Sequence, residues 1–254
     1  MAEFEIIRSE LRSFSDPDKA TFLAGFFKTG RGEYGEGDRF LGIVVPKIRK
    51  VAKTHLQASR KDISKLLSST FHEERLAALL ILVEQYRRGD EQTRKGIFDL
   101  YLASTAQINN WDLVDLTAQH IVGEYLSGRD RSLLTKLALS KNLWERRISI
   151  LSTFCFIRQG ESDEALRIAE LLLQDSHDLI HKAVGWMLRE VGNRCSLAKE
   201  RKFLDRHAAV MPRTMLRYAI ERFPVDLKSH YMQAGKNSRL KRSGLLSKNA
   251  KRIS

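Results

Sequence analysis

The chain has 254 residues, of which 43% are hydrophobic, and this content suits a sizeable core and excludes an intrinsically disordered protein. Its 44 lysines and arginines against 31 acidic residues give a net charge of +13, which predicts a polyanionic partner. The two cysteines, Cys155 and Cys195, form no CxxC motif, so the sequence indicates neither a zinc cluster nor a disulfide framework and suits a reducing compartment.

The beginning of the chain is charged and contains no apolar stretch of the signal-peptide type. The longest strongly apolar run, from Ala77 to Val83, is far too short to cross a bilayer. We therefore expect a cytoplasmic, nucleoid-associated protein without a membrane partner.

In chain order, the spacing of apolar residues predicts one helix after another. Phe4, Ile7 and Leu11 recur at helical spacing in the first helix, and we find no alternation typical of a strand. Only four prolines occur, and Pro46 stands where a helix is predicted to begin. The predicted helices are 4–13, 17–27, 45–55, 61–69, 72–88, 91–104, 111–126, 130–139, 143–159, 162–174, 177–194, 197–208, 212–222 and 224–231.

A glycine-rich segment over residues 29–38 separates the second helix from the third. Residues 30–35, GRGEYG, match the pattern GxGxxG literally. A dinucleotide-binding turn needs a strand before it and a helix start after it, and the sequence predicts neither. We interpret the segment as a flexible loop.

Five segments share a polar or aromatic opening, a basic residue and an apolar stretch: HEERLAALLILV, WDLVDLTAQHIV, LWERRISILSTF, HDLIHKAVGWML and MPRTMLRYAIERF. One anchor residue from each gives gaps of 36, 36, 39 and 31 residues. Such a period, with two helices per unit, is typical of HEAT-like repeats, in which the second helix of each pair lines the concave face. The anchors, which we expect to share one surface, are Arg75, Trp111, Arg147, Trp186 and Arg217.

We therefore predict an all-α protein with a single domain over residues 1–232. The expected architecture is a HEAT-like α-solenoid of antiparallel helix pairs, a curved superhelix with a basic concave face. Residues 233–254 contain seven lysines and arginines and no acid, so we predict a disordered basic tail. The tail either adds phosphate contacts or has no role in the fold.

Trp111 and Asp115 are one helical turn apart, and Arg147 and Trp186 stand at equivalent places in the next two repeats. An arginine holds a phosphate with two hydrogen bonds, and indole faces attract cations. A carboxylate stabilises positive charge on a sugar and orients a water, as glycosidic hydrolysis through an oxocarbenium-like transition state requires. A base that is already cationic leaves without a general acid.

Structural roles compete with these functional ones. A tryptophan at a helix start is more often a packing residue, which is the role we expect for Trp144. Asp112 suits the capping of a helix N-terminus. His177 and His181 are at i, i+4, but no third ligand is evident, so we predict no metal and no cofactor.

Four long stretches carry a resemblance to a known family: FLGIVVPKIRKVAK (40–53), NNWDLVD (109–115), NLWERRISIL (142–151) and HKAVGWMLRE (181–190). The sequence resembles the DNA alkylation repair family, the AlkD-like DNA glycosylases, from about residue 4 to 231. The resemblance implies a HEAT-like repeat fold that wraps duplex DNA. It also implies excision of cationic N3- and N7-alkylated purines without flipping the base into a pocket, which leaves an abasic site.

The resemblance also assigns roles to single residues. Trp111 and Trp186 match the aromatic residues that flank the deoxyribose of the lesion, and Asp115 matches the catalytic carboxylate. Arg147 matches the arginine that holds the adjacent backbone. The residues that we predict to contact DNA are Arg147, Arg146, Lys182, Arg39, Lys47, Arg49, Lys50, Arg213 and Arg217.

The sequence departs from the family pattern at three places. Val44 stands where catalytic members can carry a polar DNA-contacting residue, and Phe26 replaces a family tyrosine. The 29–38 loop is an insertion relative to the compact members. These changes bear on the substrate range more than on the fold.

Three functions remain open at this stage. The first is a monomeric, monofunctional glycosylase for alkylated duplex DNA, since no lysine is suitably placed for lyase chemistry. The second is a non-catalytic protein that binds bent or branched DNA by shape. The third is a protein-interaction scaffold, against which the net charge and the Trp/Asp/Arg set argue.

Overall fold

A computed structural model describes residues 2–234, and the regular elements in that range are all helices. The one β pairing among these residues is an isolated bridge between Arg39 and Phe71. None of the described helices is long and apolar enough to cross a bilayer. Helices that follow one another along the chain pack together, so the predicted all-α, HEAT-like class is confirmed.

The chain divides into two compact units, Met1–Leu126 and Ser127–Ser254, here called the N-terminal and C-terminal units. The single domain over residues 1–232 stays a prediction. Residues 225–234 form a final helix. The rest of the predicted basic tail, residues 235–254, lies outside the described residues.

The N-terminal unit is organised around one long buried helix. Its elements are α1 (Glu3–Arg12), α2 (Pro17–Phe26), α3 (Val45–Thr54), α4 (Arg60–Leu67), α5 (His72–Arg88), α6 (Glu91–Ala103), α7 (Trp111–Asp115), a π-helical turn (Gln119–Gly123) and α8 (Glu124–Leu126). The apolar run from Leu76 to Val83 in α5 is buried throughout. A helix that is apolar all round needs neighbours on several faces, and α3, α4 and α6 supply them.

The C-terminal unit is organised around a second long helix, α13. Its elements are α9 (Ser132–Ala138), α10 (Leu143–Ser152), α11 (Phe154–Arg158), α12 (Asp163–Leu171), α13 (Asp178–Arg194), α14 (Leu197–His207), α15 (Arg213–Ala219), a 3-10 turn (Ile220–Arg222) and α16 (225–234). α13 packs against α10, α14 and α15. A Cβ atom at Gly185 would lie 2.4 Å from the Met215 carbonyl oxygen, so glycine is required for the close approach of α15.

The predicted helix boundaries agree with the observed ones to within three residues, apart from two helices that are interrupted. The prediction of one helix over 111–126 is wrong, because α7 ends at Asp115 and a π-helical turn follows. Thr117 Oγ1 donates a hydrogen bond to the Leu113 carbonyl oxygen at 2.5 Å and accepts one from the Tyr101 hydroxyl at 2.9 Å. A threonine bonded back to the preceding turn bends a helix, which explains the break.

The prediction of one helix over 143–159 is also wrong. α10 ends at Ser152 and α11 begins at Phe154. Between them, Thr153 Oγ1 donates to the Ile150 carbonyl oxygen at 2.6 Å, and this local hydrogen bond competes with the helical one.

The glycine-rich segment is a series of turns that follows helix α2 rather than a strand. Beyond it, Gly42 has a positive φ of 82°, and a Cβ atom there would lie 2.1 Å from the Asp16 carbonyl oxygen. Glycine at this position lets the chain pass against the start of α2. The Gly42 N–H donates to Glu73 Oε1 at 2.8 Å, which ties the segment to α5.

Candidate active site

A buried asparagine holds the start of α7. Asn110 is fully buried, and its Oδ1 accepts a hydrogen bond from the Trp111 backbone N–H at 2.9 Å. Its Nδ2 lies 3.4 Å from Asp38 Oδ2. These contacts fix the backbone that carries the Trp111 side chain.

His72, the first residue of α5, lies between two buried carboxylates. Its Nε2 is 2.8 Å from Asp112 Oδ2 and its Nδ1 is 3.3 Å from Asp38 Oδ2. Burial disfavours the protonated imidazole, but the charge of Asp112 and the hydrogen bonds to both carboxylates outweigh this cost and raise the pKa of His72 to about 9. His72 is therefore a cation at neutral pH and donates from both ring nitrogens.

Arg75 extends this buried cluster. Its Nη2 donates to Asp38 Oδ1 at 2.7 Å and to Asn109 Oδ1 at 3.1 Å. Burial by itself would raise the pKa of Asp38, but the hydrogen bond from His72 and the charge of Arg75 lower it overall. We call Asp38, His72, Arg75, Asn110 and Asp112 the His72 network.

Sequence reasoning missed the His72 network. Arg75 belongs to the anchors predicted to share one surface, but its side chain is 4% exposed and is directed into this network. Asp112 does accept a hydrogen bond from the Leu113 N–H at 2.9 Å, but its other oxygen serves His72. The two carboxylates stand 34 to 40 residues from His72 and Arg75, so no local spacing signals the contacts.

Trp111 and Asp115 lie at the two ends of the short helix α7, and both are half-buried. The indole stacks on Phe27 with ring centroids 5.0 Å apart and meets Phe26 edge-on at 5.9 Å. Burial raises the pKa of Tyr101, and the negative charge of Asp115 adds to this effect. α7 therefore presents an aromatic face and a carboxylate one turn apart.

Trp186 lies in the middle of α13 in the C-terminal unit. It is half-buried, and its Nε1 lies 3.3 Å from Glu190 Oε1 on the same helix. The centroid of its ring is 5.9 Å from that of Phe154, and Glu190 also pairs with Arg194 at 2.7 Å. The indole is thus oriented by a hydrogen bond and by an aromatic neighbour.

Arg147 lies on α10 and is 4% exposed. Its Nη1 donates to the Leu179 carbonyl oxygen, which belongs to the first turn of α13. The structure therefore gives Arg147 a role in joining two helices, and its phosphate contact stays a prediction. Arg147 and Trp186 belong to the C-terminal unit and Trp111 and Asp115 to the N-terminal unit, so their shared surface is a prediction too.

The basic residues predicted to contact DNA in the N-terminal unit are exposed. Arg39 stands over the ring of Phe71 at 4.7 Å, and Lys47 over that of Phe14 at 5.0 Å. Arg49 and Lys50 are exposed on α3.

The corresponding residues in the C-terminal unit are more engaged with the protein. Arg146 pairs with Asp175 at 2.6 Å, and Lys182 pairs with Asp178 at 2.8 Å. Arg213 Nη1 donates to the Met232 carbonyl oxygen at 2.7 Å. Arg217 is exposed on α15. Of the residues predicted to contact DNA, Arg217 and those of the N-terminal unit are the exposed ones, and their phosphate contacts stay predictions.

The paired histidines of α13 have structural partners. His177 caps the helix by accepting from the Leu179 N–H at 3.1 Å, and His181 Nε2 donates to the Asp175 carbonyl oxygen at 2.6 Å. Within residues 2–234, no group of three or more His, Cys, Asp or Glu side chains is arranged to hold a metal ion.

Comparisons with known proteins give a family and a fold. A family model described as DNA alkylation repair enzyme matches residues 7–223. A solved structure described as a predicted DNA alkylation repair enzyme from Enterococcus faecalis shares the fold with a TM-score of 0.64 and 16% identity, over 83% of this chain and 97% of that one. No curated protein matches the chain.

Proposed function

We propose a specific activity for this chain, which belongs to the family of DNA alkylation repair enzymes. The proposed activity is that of a DNA glycosylase, which hydrolyses the N-glycosidic bond of cationic N3- and N7-alkylated purines in duplex DNA. Its family supports a role in DNA repair, and the solved structure described as a predicted enzyme of this kind has the same fold. The reaction would leave an abasic site and would not require the base to be flipped into a pocket. The observation that carries the proposal is that Trp111 and Asp115 lie one turn apart at the two ends of α7, a helix whose start is held by Asn110.

Asp115 is assigned the central chemical step. As the bond to the cationic base breaks, positive charge develops on the deoxyribose, and a carboxylate beside the sugar stabilises it. The same carboxylate orients a water molecule for attack on the anomeric carbon. The leaving base is neutral after departure, so no proton donor is needed.

Trp111 and Trp186 are assigned to the two sides of the deoxyribose, where their ring faces attract the developing positive charge. Arg147 is assigned to the adjacent phosphate. The assignment of residues from both units to one nucleotide rests on the resemblance to the family. α7 is suited to its part because the His72 network holds the backbone at Trp111.

The proposal is tested by incubating the protein with duplex DNA that contains 3-methyladenine or 7-methylguanine and measuring the free base. We expect release of both bases and an abasic site in the product strand. Salt-sensitive DNA binding without release of either base would instead support a non-catalytic protein that recognises DNA structure.

A further inference from the structure

A pocket of about 520 Å³ opens on the N-terminal unit between α2 and the beginning of α3. Its volume lies in the range of sites that bind small organic groups. The side chains that line its walls include Phe22, Leu23, Phe26, Phe40, Val44 and Pro46.

Three of these apolar side chains are exposed to an unusual degree. Phe22 is 69% exposed, Phe26 is 54% exposed and Val44 is 45% exposed. Apolar surface in water costs roughly 25 cal/mol per Å², and a contiguous patch of it usually marks a binding site. The three side chains meet in one pocket, which indicates that something covers them.

The aromatic rings in the pocket are arranged in a row. Phe22 and Phe26 are one turn apart on α2, and their rings are nearly parallel, with centroids 6.2 Å apart and an interplanar angle of 14°. Phe26 in turn meets the edge of Trp111. The exposed ring faces therefore lead from the pocket towards the indole assigned to the reaction.

The floor of the pocket offers no open hydrogen-bonding group. His72 is bonded at both ring nitrogens, and Asp112 serves His72 and the Leu113 N–H. Glu73 accepts from the backbone N–H groups of residues 41–43. The other charged side chain of the lining, Lys19, pairs with Asp16 at 2.5 Å, so a ligand would be held chiefly by its faces.

The pocket borders a strongly basic helix. Val45 and Pro46, which line it, are the first two residues of α3. The remainder of α3 carries four exposed cations and no acid: Lys47, Arg49, Lys50 and Lys53. The aromatic pocket is suited to a flat apolar group, and the cations of α3 beside it are suited to phosphates. A nucleic acid strand combines the two.

We propose that the pocket is a stacking site for an unpaired nucleobase of bound DNA, with the flanking phosphates on α3. This proposal rests on the proposed DNA substrate but does not require base release. Phe26 and Val44, two positions at which the sequence departs from the family pattern, both line the site. Stacking depends on the flat face of the base, which all bases have, so the site accepts any base.

The test uses undamaged DNA. Binding is compared for a fully paired duplex and for the same duplex with one unpaired 2-aminopurine, whose fluorescence falls when it stacks. We expect the wild-type protein to bind the second duplex more tightly and to quench the probe. Absence of both effects in the wild-type protein overturns the proposal, whatever the variants do.

Two double variants then separate stacking from simple burial. Phe22→Leu with Phe26→Leu keeps an apolar pocket but removes the ring faces, and we expect the preference for the unpaired base to fall about tenfold. Phe22→Trp with Phe26→Trp is expected to retain it. Leu139→Ala, at a residue of the C-terminal unit that is 67% exposed, is the control and is expected to change nothing.

A preference that survives the leucine substitutions overturns the proposal, because the unpaired base would then be recognised at a different place on the protein. Failure here is distinct from failure of the proposed function. Loss of base release from alkylated DNA, with the unpaired-base preference intact, would refute the glycosylase and leave the stacking site standing.

Discussion

His72 carries a positive charge in the interior of the N-terminal unit, held there by Asp38 and Asp112. The folded state raises its pKa from 6.5 to about 9, so the folded protein retains a proton that the unfolded chain releases. This contribution to stability is complete below pH 6.5 and is lost as the pH rises to about 9.

We therefore expect the free energy of unfolding to fall between pH 6.5 and 9, by up to about 3 kcal/mol from this residue. Urea unfolding at a series of pH values measures the slope. Glu200 is a buried carboxyl whose pKa is raised to about 8 by burial, so it also lowers stability as the pH rises. The contribution of His72 is therefore obtained by comparing the pH dependence of unfolding in His72→Gln with that of the wild type. An identical slope in both proteins would show that His72 is not the source.

Arg147 joins α10 to α13 through the Leu179 carbonyl oxygen, and it is also assigned to a phosphate. We expect Arg147→Met to lower stability by about 1–3 kcal/mol, because a hydrogen bond from a buried charged side chain is lost. A phosphate contact would in addition reduce the slope of log affinity against log salt by about one. Reduced stability with an unchanged salt slope would leave Arg147 a purely structural residue.

Arg75 and Arg147 also show where prediction from the sequence stops. Both arginines lie near the beginning of a helix, as the repeat spacing predicts. It cannot distinguish an open surface from a helix interface, because that depends on partners such as Asp38 and Leu179 far along the chain. Both side chains are 4% exposed.

At the scale of elements, a helix break directly follows Asp115 at the end of α7. Apolar periodicity predicts a continuous helix over 111–126, because the apolar residues keep their spacing through the π-helical turn. The interruption depends on hydrogen bonds of Thr117 to Leu113 and Tyr101, which a hydropathy pattern does not contain. Helix existence was therefore predictable here, and helix continuity was not.

Thr117→Val removes these hydrogen bonds with little change in volume. We expect a loss of about 1–2 kcal/mol in stability, because the Tyr101 hydroxyl is left without its acceptor in the core. We also expect slower base release, since α7 can continue as a regular helix and displace Asp115. Thr117→Ser retains the hydroxyl and serves as the control. Equal rates of base release for the two variants would show that the helix break does not affect the reaction.

At the scale of the whole molecule, the net charge of +13 favours electrostatic attraction of the protein to DNA. The composition predicted this property directly, since it needs no knowledge of contacts. The fold class followed from periodicity, but the pocket of the N-terminal unit did not. Phe22 and Val44 line one pocket because Gly42 lets the chain pass close to α2. A hydropathy pattern does not show which apolar residues will be exposed.

Residues 235–254 contain seven lysines and arginines and no acid. Removing them is expected to weaken binding to undamaged duplex DNA and to reduce its dependence on salt. Base release at saturating protein should be retained, because the assigned residues all lie before residue 235. Fluorescence anisotropy at several salt concentrations measures the first effect, and an unchanged salt slope would show that the tail does not contact phosphates.

The most direct measurement is single-turnover release of 7-methylguanine from methylated duplex DNA by Asp115→Asn and by Asp99→Asn, an exposed aspartate in the same unit. Both substitutions remove one negative charge, so their general effects on DNA affinity are matched. We predict that Asp115→Asn slows release by about 10²-fold or more while DNA binding is kept, and that Asp99→Asn matches the wild type. Release by Asp115→Asn at the rate of the Asp99→Asn protein would contradict the proposed role of α7 in base excision.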